Sequence, residues 1–103
     1  MKFNHIGITD QRPRDDSVYF APTKVWITDS DAHPFRIEWL RYDDDSDVPE
    51  VIRNIPHVGF EVDSIAEASV GLKPLLGPLV IDEMKTVAFF LTPDRGVVEL
   101  MEI

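Results

Sequence analysis

One short pattern occurs twice in this chain and limits what it can fold into. The copies are Asn4-His5-Ile6-Gly7-Ile8 and Pro56-His57-Val58-Gly59-Phe60. In an extended strand, alternate residues point to opposite faces. Each copy therefore sends its His and Gly to one face and its two apolar residues to the other. A glycine two residues from a histidine leaves open space on the polar face. If two such strands lie side by side, their imidazoles can converge.

Around these two stretches the chain reads as β-rich. Residues 3–9 alternate cleanly and predict a strand. The polar run Asp10 to Ser17, with Pro13 inside it, is too short and too broken for a stable helix and is expected to be a loop. Val18 to Ala21 and Lys24 to Thr28 read as short strands, and Asp29 to Pro34 as a turn. Phe35 to Tyr42 alternates again, with Arg36, Glu38, Leu40 and Tyr42 on one face. Glu50 to Ile55 predicts a turn of helix. Residues 57–63 predict a strong strand, with His57, Gly59 and Glu61 facing one way. Ser64 and Glu67 supply a capping box for a helix that Gly71 is expected to end. Pro74, Gly77 and Pro78 predict an irregular stretch. Leu79 to Asp82, Thr86 to Leu91 and Val97 to Ile103 read as strands, the last two joined by a Pro93-Asp94-Arg95-Gly96 turn.

The chain therefore repeats at a coarse level: a His-led strand, a helix or loop, then three strands, used twice. Each half closes on a strand carrying a Glu between apolar residues, Ile37-Glu38-Trp39 and Val98-Glu99-Leu100. The expected organisation is a single domain made of module one (1–42), an acidic linker (43–55) and module two (56–103). The first module has a Pro-broken loop where the second has its helix.

Composition removes several function classes. Ten Lys and Arg against nineteen Asp and Glu give a formal charge of −9. Such a field repels phosphate backbones and anionic membranes, so neither a nucleic-acid nor a membrane partner is expected. No apolar run approaches the length of a membrane span. The chain has no cysteine, and its first residues lack an apolar leader core, which leads us to expect a cytoplasmic protein. The run Asp43-Asp44-Asp45-Ser46-Asp47 lacks the Gly and terminal Glu of a calcium-binding loop and reads as a solvated connector.

His5, Glu38, His57 and Glu99 carry the chemistry. Imidazole and carboxylate suit divalent ions such as Zn, Ni, Co, Mn or Fe. An ionised Glu between apolar neighbours is costly to bury unless it meets a cation. One His and one Glu per half would make a four-ligand set with a pseudo-two-fold axis. An octahedral ion held this way leaves positions for substrate oxygens, polarises a carbonyl and stabilises an enediolate. Taken singly, each residue has an ordinary structural reading: a satisfied histidine, or a solvated strand Glu, the class in which Glu61 and Glu102 fall. Only the repeated order with matched flanks argues for a shared site.

In that order and those flanks the chain resembles the vicinal oxygen chelate superfamily, which includes glyoxalase I, methylmalonyl-CoA epimerase, extradiol dioxygenases and the fosfomycin- and bleomycin-resistance proteins. The resemblance is strongest at Asn4–Ile8, Pro56–Asp63 and Val97–Ile103 and weak in residues 10–34. It implies an α+β fold of two βαβββ modules forming a curved mixed sheet around a cleft, here with the first module lacking its helix. It also implies His5, Glu38, His57 and Glu99 as metal ligands. Glu at position 38 is similar to glyoxalase I, whereas the wording Asn4-His5-Ile6-Gly7-Ile8 is closer to the epimerase.

The activity so implied is that of a metal-dependent lyase or isomerase, moving a proton next to a carbonyl of a small oxygen-bearing substrate. Glu99 comes first and Glu38 second as the base. Arg36, on the face of Glu38, is a candidate for binding a substrate carboxylate, with an ion pair to Glu38 or another acid as its alternative. Members are commonly homodimers. Two other readings stay open: a non-catalytic small-molecule-binding protein of bleomycin-resistance type, and a dimeric module with a vestigial site. Trp26, Trp39, Phe89 and Phe90 either line a cleft or pack, with packing favoured for Trp39.

Overall fold

The computed structural model describes all residues 1–103. Eight strands form one mixed sheet that curls into a half-barrel: β1 (Lys2–Thr9), β2 (Val18–Phe20), β3 (Val25–Ile27), β4 (Ile37–Tyr42), β5 (His57–Val62), β6 (Lys73–Asp82), β7 (Lys85–Leu91) and β8 (Val97–Glu102). The helices are short: α1 (Glu50–Asn54) and α2 (Ile65–Ala68). The α+β class, the curved sheet and the missing helix in the first half are as the sequence predicts.

The strand order β2-β3-β4-β1-β5-β8-β7-β6 makes the repeat visible. The His-led strands β1 and β5 pair antiparallel at the centre. Each is flanked by the Glu-bearing strand of its own half, β4 parallel to β1 and β8 parallel to β5. The remaining strands of each half continue outward to the edges.

Several boundaries differ from the sequence reading, each for a local reason. β4 starts at Ile37 rather than Phe35, because Arg36 adopts a positive φ of 59° and its N–H closes a turn onto the His33 carbonyl. Residues 73–78, expected to be irregular, belong to β6. This strand is outermost, so Pro74 and Pro78 can avoid needing a ladder donor. The cost is register shifts against β7 at Pro74/Leu76 and Leu76/Leu79. Gly77 sits there with φ +92°, and a Cβ would lie 2.9 Å from the Val87 carbonyl. The helix after Ser64 is a single turn that ends before Gly71. Ser64 Oγ accepts from the Glu67 N–H as expected, and Glu102 Oε1 accepts from the Ile65 N–H at 2.8 Å.

The main core lies in the hollow of the half-barrel, where Val25, Leu40, Tyr42, Val87, Phe89, Val97 and Met101 cluster with Val48 and Ile52. The acidic connector is therefore more than a solvated link. It buries Val48 and Ile52, while Asp43 accepts from Tyr19 Oη at 2.8 Å and Asp45 pairs with Lys24 at 2.8 Å. A second cluster, Ile65, Ala88, Phe90 and Leu100, seats α2 against the outer face of the second half. No helix is long and apolar enough to cross a membrane.

Candidate metal centre

Register brings the two His-led strands together. Across β1 and β5, His5 lies opposite Gly59 and Gly7 opposite His57. Gly7 also faces Glu38 on β4, and Gly59 faces Glu99 on β8. Two adjacent rows result, Glu38–Gly7–His57 and His5–Gly59–Glu99, related by exchange of the halves. Each glycine is a cradle. A Cβ on Gly7 would overlap the His57 ring, and one on Gly59 would overlap the His5 ring. The spacing of His and Gly within each strand is thus a cross-strand requirement: each strand makes room for the imidazole of the other.

Those rows aim four side chains at one point. The donor atoms of His5, Glu38, His57 and Glu99 all lie within 4.8 Å of one another. His5 Nε2 is 3.0 Å from Glu99 Oε1, His57 Nε2 is 3.2 Å from the same oxygen, and the two Nε2 atoms are 3.2 Å apart. Glu38 Oε1 is held more loosely, 3.6 Å from His5 Nε2. His5, His57 and Glu99 are buried, at 2%, 1% and 8% exposure.

This donor set fits a divalent cation. With metal–ligand bonds of about 2.1 Å, neighbouring ligands at right angles lie about 3 Å apart, the separation His5, His57 and Glu99 already have. Two imidazole nitrogens and a carboxylate oxygen in mutual contact need positive charge between them. Without a metal, protons supply it. Burial alone lowers the His5 pKa, but the hydrogen bond to Glu99 and the charges of Glu38 and Glu99 outweigh burial and raise it. Burial pushes Glu99 up, yet the hydrogen bonds from His5 and His57 hold its carboxyl down at about 2. Glu38 is raised, by burial first and by the Glu99 charge, against the pull of His5.

The centre opens into a cavity of about 910 Å³ enclosed by the curled sheet. Its apolar wall includes Leu76, Leu79, Ile81, Val87, Phe89 and Met101 from the second half and Val25, Ile27 and Leu40 from the first. Phe89 lies in this wall, edge-on to the His57 ring at 5.1 Å, while Phe90 packs on the opposite face. Trp39 lies outside the cavity under the Arg14 guanidinium at 4.2 Å, and Trp26 lies beside Tyr19 at 4.8 Å, so neither tryptophan lines the cleft. Arg36 does border the cavity, but its guanidinium is engaged by Asp31 at 2.8 Å and the Asn4 carbonyl at 2.6 Å, not by Glu38.

Three neighbours of the site escape sequence reasoning. Lys85 borders the cavity and makes no ion pair. Asn4 and Glu61 form a hydrogen-bonded pair beside His5, with Asn4 Oδ1 2.7 Å from His5 Nδ1 and Asn4 Nδ2 donating to Glu61 Oε2 at 3.0 Å. Strict alternation points Asn4 away from His5. The register shift between Phe3 and His5 marks a bulge that turns it into the cavity wall. Glu61, expected to be solvated, is half-buried.

No protein-family model and no curated protein matches the chain. Among solved structures, the chain is similar to the crystal structure of a hypothetical protein from Bacillus halodurans. The TM-score is 0.71 at 20% identity, over 99% of this chain and 94% of that one. At that identity the likeness shows the fold alone.

Proposed function

We propose that the protein is a divalent-metal-dependent lyase or isomerase of the vicinal oxygen chelate type. It would move a proton next to a carbonyl of a small oxygen-bearing substrate. The observation that carries this reading is the convergence of two imidazoles and two carboxylates, one of each from either half, at the base of an open cavity. The curled mixed sheet is compatible with that superfamily. His5, Glu38, His57 and Glu99 would hold the ion, which when bound supplies Lewis-acid stabilisation of charge developing on substrate oxygen.

The chain's own residues would do the rest. The apolar wall would exclude water from the reacting carbon and hold the body of the substrate. One carboxylate would take and return the proton. The hold on the two differs. Glu99 is gripped by both histidines, whereas Glu38 has one contact at 3.6 Å. Glu38 is the carboxylate freer to swing toward substrate, which favours it over Glu99 as the base. Arg36 would act on a substrate carboxylate only by leaving Asp31.

Elemental analysis of protein purified without chelators tests the reading, with His5→Ala and Glu99→Ala alongside. One equivalent of a divalent ion is expected in the wild type, and a large loss in both variants. A wild type that holds no ion and takes up none on titration rules the reading out. Solvent-proton exchange into 2-oxoaldehyde hemithioacetals or acyl-CoA thioesters then tests two substrate classes.

A second reading is a non-catalytic protein that sequesters a small molecule, favoured by the size and apolar lining of the cavity. It predicts ligand binding with no proton exchange in any bound compound. Either reading is compatible with a homodimer, which sedimentation would reveal.

A further inference from the structure

The two histidines of the centre are held in different ways. His57 Nδ1 is buried and has no hydrogen-bond partner. Pro56 stands before it in the place Asn4 takes before His5, and a proline offers no side-chain donor or acceptor. Apart from the contact of its Nε2 with Glu99, the His57 ring is kept in place by packing, against Phe89 and in the space left by Gly7.

Around His5, each hydrogen bond determines the next. A carboxylate only accepts, so the contact of Glu61 Oε2 with Asn4 at 3.0 Å must come from the amide Nδ2. That orients the amide, and Oδ1 is the atom left to face His5 Nδ1 at 2.7 Å. An amide oxygen also only accepts, so Nδ1 carries the hydrogen. The neutral ring then presents the lone pair of Nε2, the atom in contact with Glu99 and His57, to the centre. The Arg36 guanidinium, bonded to the Asn4 carbonyl, steadies the same backbone segment.

We infer that Asn4 and Glu61 are positioning residues. Their relay sets the tautomer and ring orientation of His5 and so strengthens cation binding at the four-residue centre. The relay rests on the metal-centre reading and goes beyond it in making one histidine pre-set and the other adaptable. It also links the halves, since Asn4 is on β1 and Glu61 on β5. Outer partners of ligating histidines are worth about 10- to 100-fold in metal affinity, because they fix the tautomer and spare the ring from reorienting when the ion arrives.

The test is Zn²⁺ affinity of the full chain, measured by competition with a chromophoric chelator after complete metal removal. Asn4→Leu keeps the side chain's size and removes the acceptor, and should weaken binding about 10- to 100-fold. Glu61→Leu frees the amide to rotate and should weaken binding less, in the same direction. The double change Asn4→Asp with Glu61→Gln reverses donor and acceptor within the relay but keeps an oxygen on His5 Nδ1. It should return affinity to near the wild-type value, which a packing role would not do.

Unchanged affinity in Asn4→Leu overturns the relay while leaving the metal centre standing, and so does a double variant as weak as Asn4→Leu. A wild type that binds no ion overturns both. If Asn4→Leu does not fold, Glu61→Leu and the double variant decide the question alone.

Discussion

The two halves of this molecule solve the same packing problem with different means. Both place a His-led strand at the centre and a Glu-bearing strand beside it. Both must also cover the outer face of those strands. The second half does so with α2, whose Ile65 is buried against Ala88, Phe90 and Leu100. The first half uses the loop of residues 10–17. There Arg12 and Arg14 both pair with Asp10, at 2.8 and 2.9 Å, and the Arg14 guanidinium stacks on Trp39. An apolar cover is replaced by a charged one laid on an aromatic ring. The centre is thus supported from behind by a packed side and a polar side, and the same asymmetry reaches the histidines: His57 is held by packing and His5 by a hydrogen-bonded relay.

The comparison can be broken most strongly at the helix. Ile65→Ala should destabilise the fold by about 2–5 kcal/mol, read as a fall in the urea midpoint. A change close to zero would mean that α2 is no more than a lid. The glycine cradles come next. Gly7→Ala and Gly59→Ala each overpack a filled site and should cost about 1–3 kcal/mol, with loss of ion uptake. Gly59→Ala should cost more by the worth of one hydrogen bond, about 1 kcal/mol, since it also takes His5 Nδ1 from Asn4 Oδ1, whereas the His57 Nδ1 displaced by Gly7→Ala has no partner to lose. Equal costs would remove the distinction drawn between the two histidines.

Arg14→Ala should cost only about 0.5–1 kcal/mol if the loop is a light cover. A loss as large as that of Ile65→Ala would make the two covers equivalent. The smallest effect concerns pH. The Arg12 side-chain hydrogen bond, with further help from Arg14, lowers the Asp10 pKa to about 2 from an ordinary 3.8. A depressed folded-state pKa means the unfolded chain binds more protons between those values, so this contribution is present above the unfolded value and is lost as pH falls toward 2. Asp10→Asn should flatten the stability profile across that window, less so in high salt because the Arg12 partner is exposed. An identical profile for the variant would mean that the clamp adds nothing.

Much of the site was legible because it rests on strand alternation and repetition, both written in the order of residues. The placement of His5 and His57 on one face, of a Glu in each closing strand, and the absence of a helix after β1 all follow from local pattern. Asn4 was not legible. Alternation assigns it to the wrong side, and only the bulge opposite β5 turns it inward, a feature that depends on how two strands meet. Glu61 shares the site's face in the pattern, yet nothing local distinguishes a solvated strand Glu from one that anchors an amide. The run through Pro74 and Pro78 looked like a break because two prolines cannot sit in a central strand. It became β6 because that strand is outermost.

The sequence by itself determined which faces are apolar and that each half carries one imidazole and one flanked carboxylate, since these depend on covalent order and the two-residue period. Tertiary structure alone decided that Gly7 belongs to His57 and Gly59 to His5. It also brought the four donor atoms within 4.8 Å of one another, and it gave the Nδ1 of His5 a partner while leaving the Nδ1 of His57 without one. The reason is register. Each His–Gly strand specifies an empty space, but only pairing with its copy says whose ring fills it.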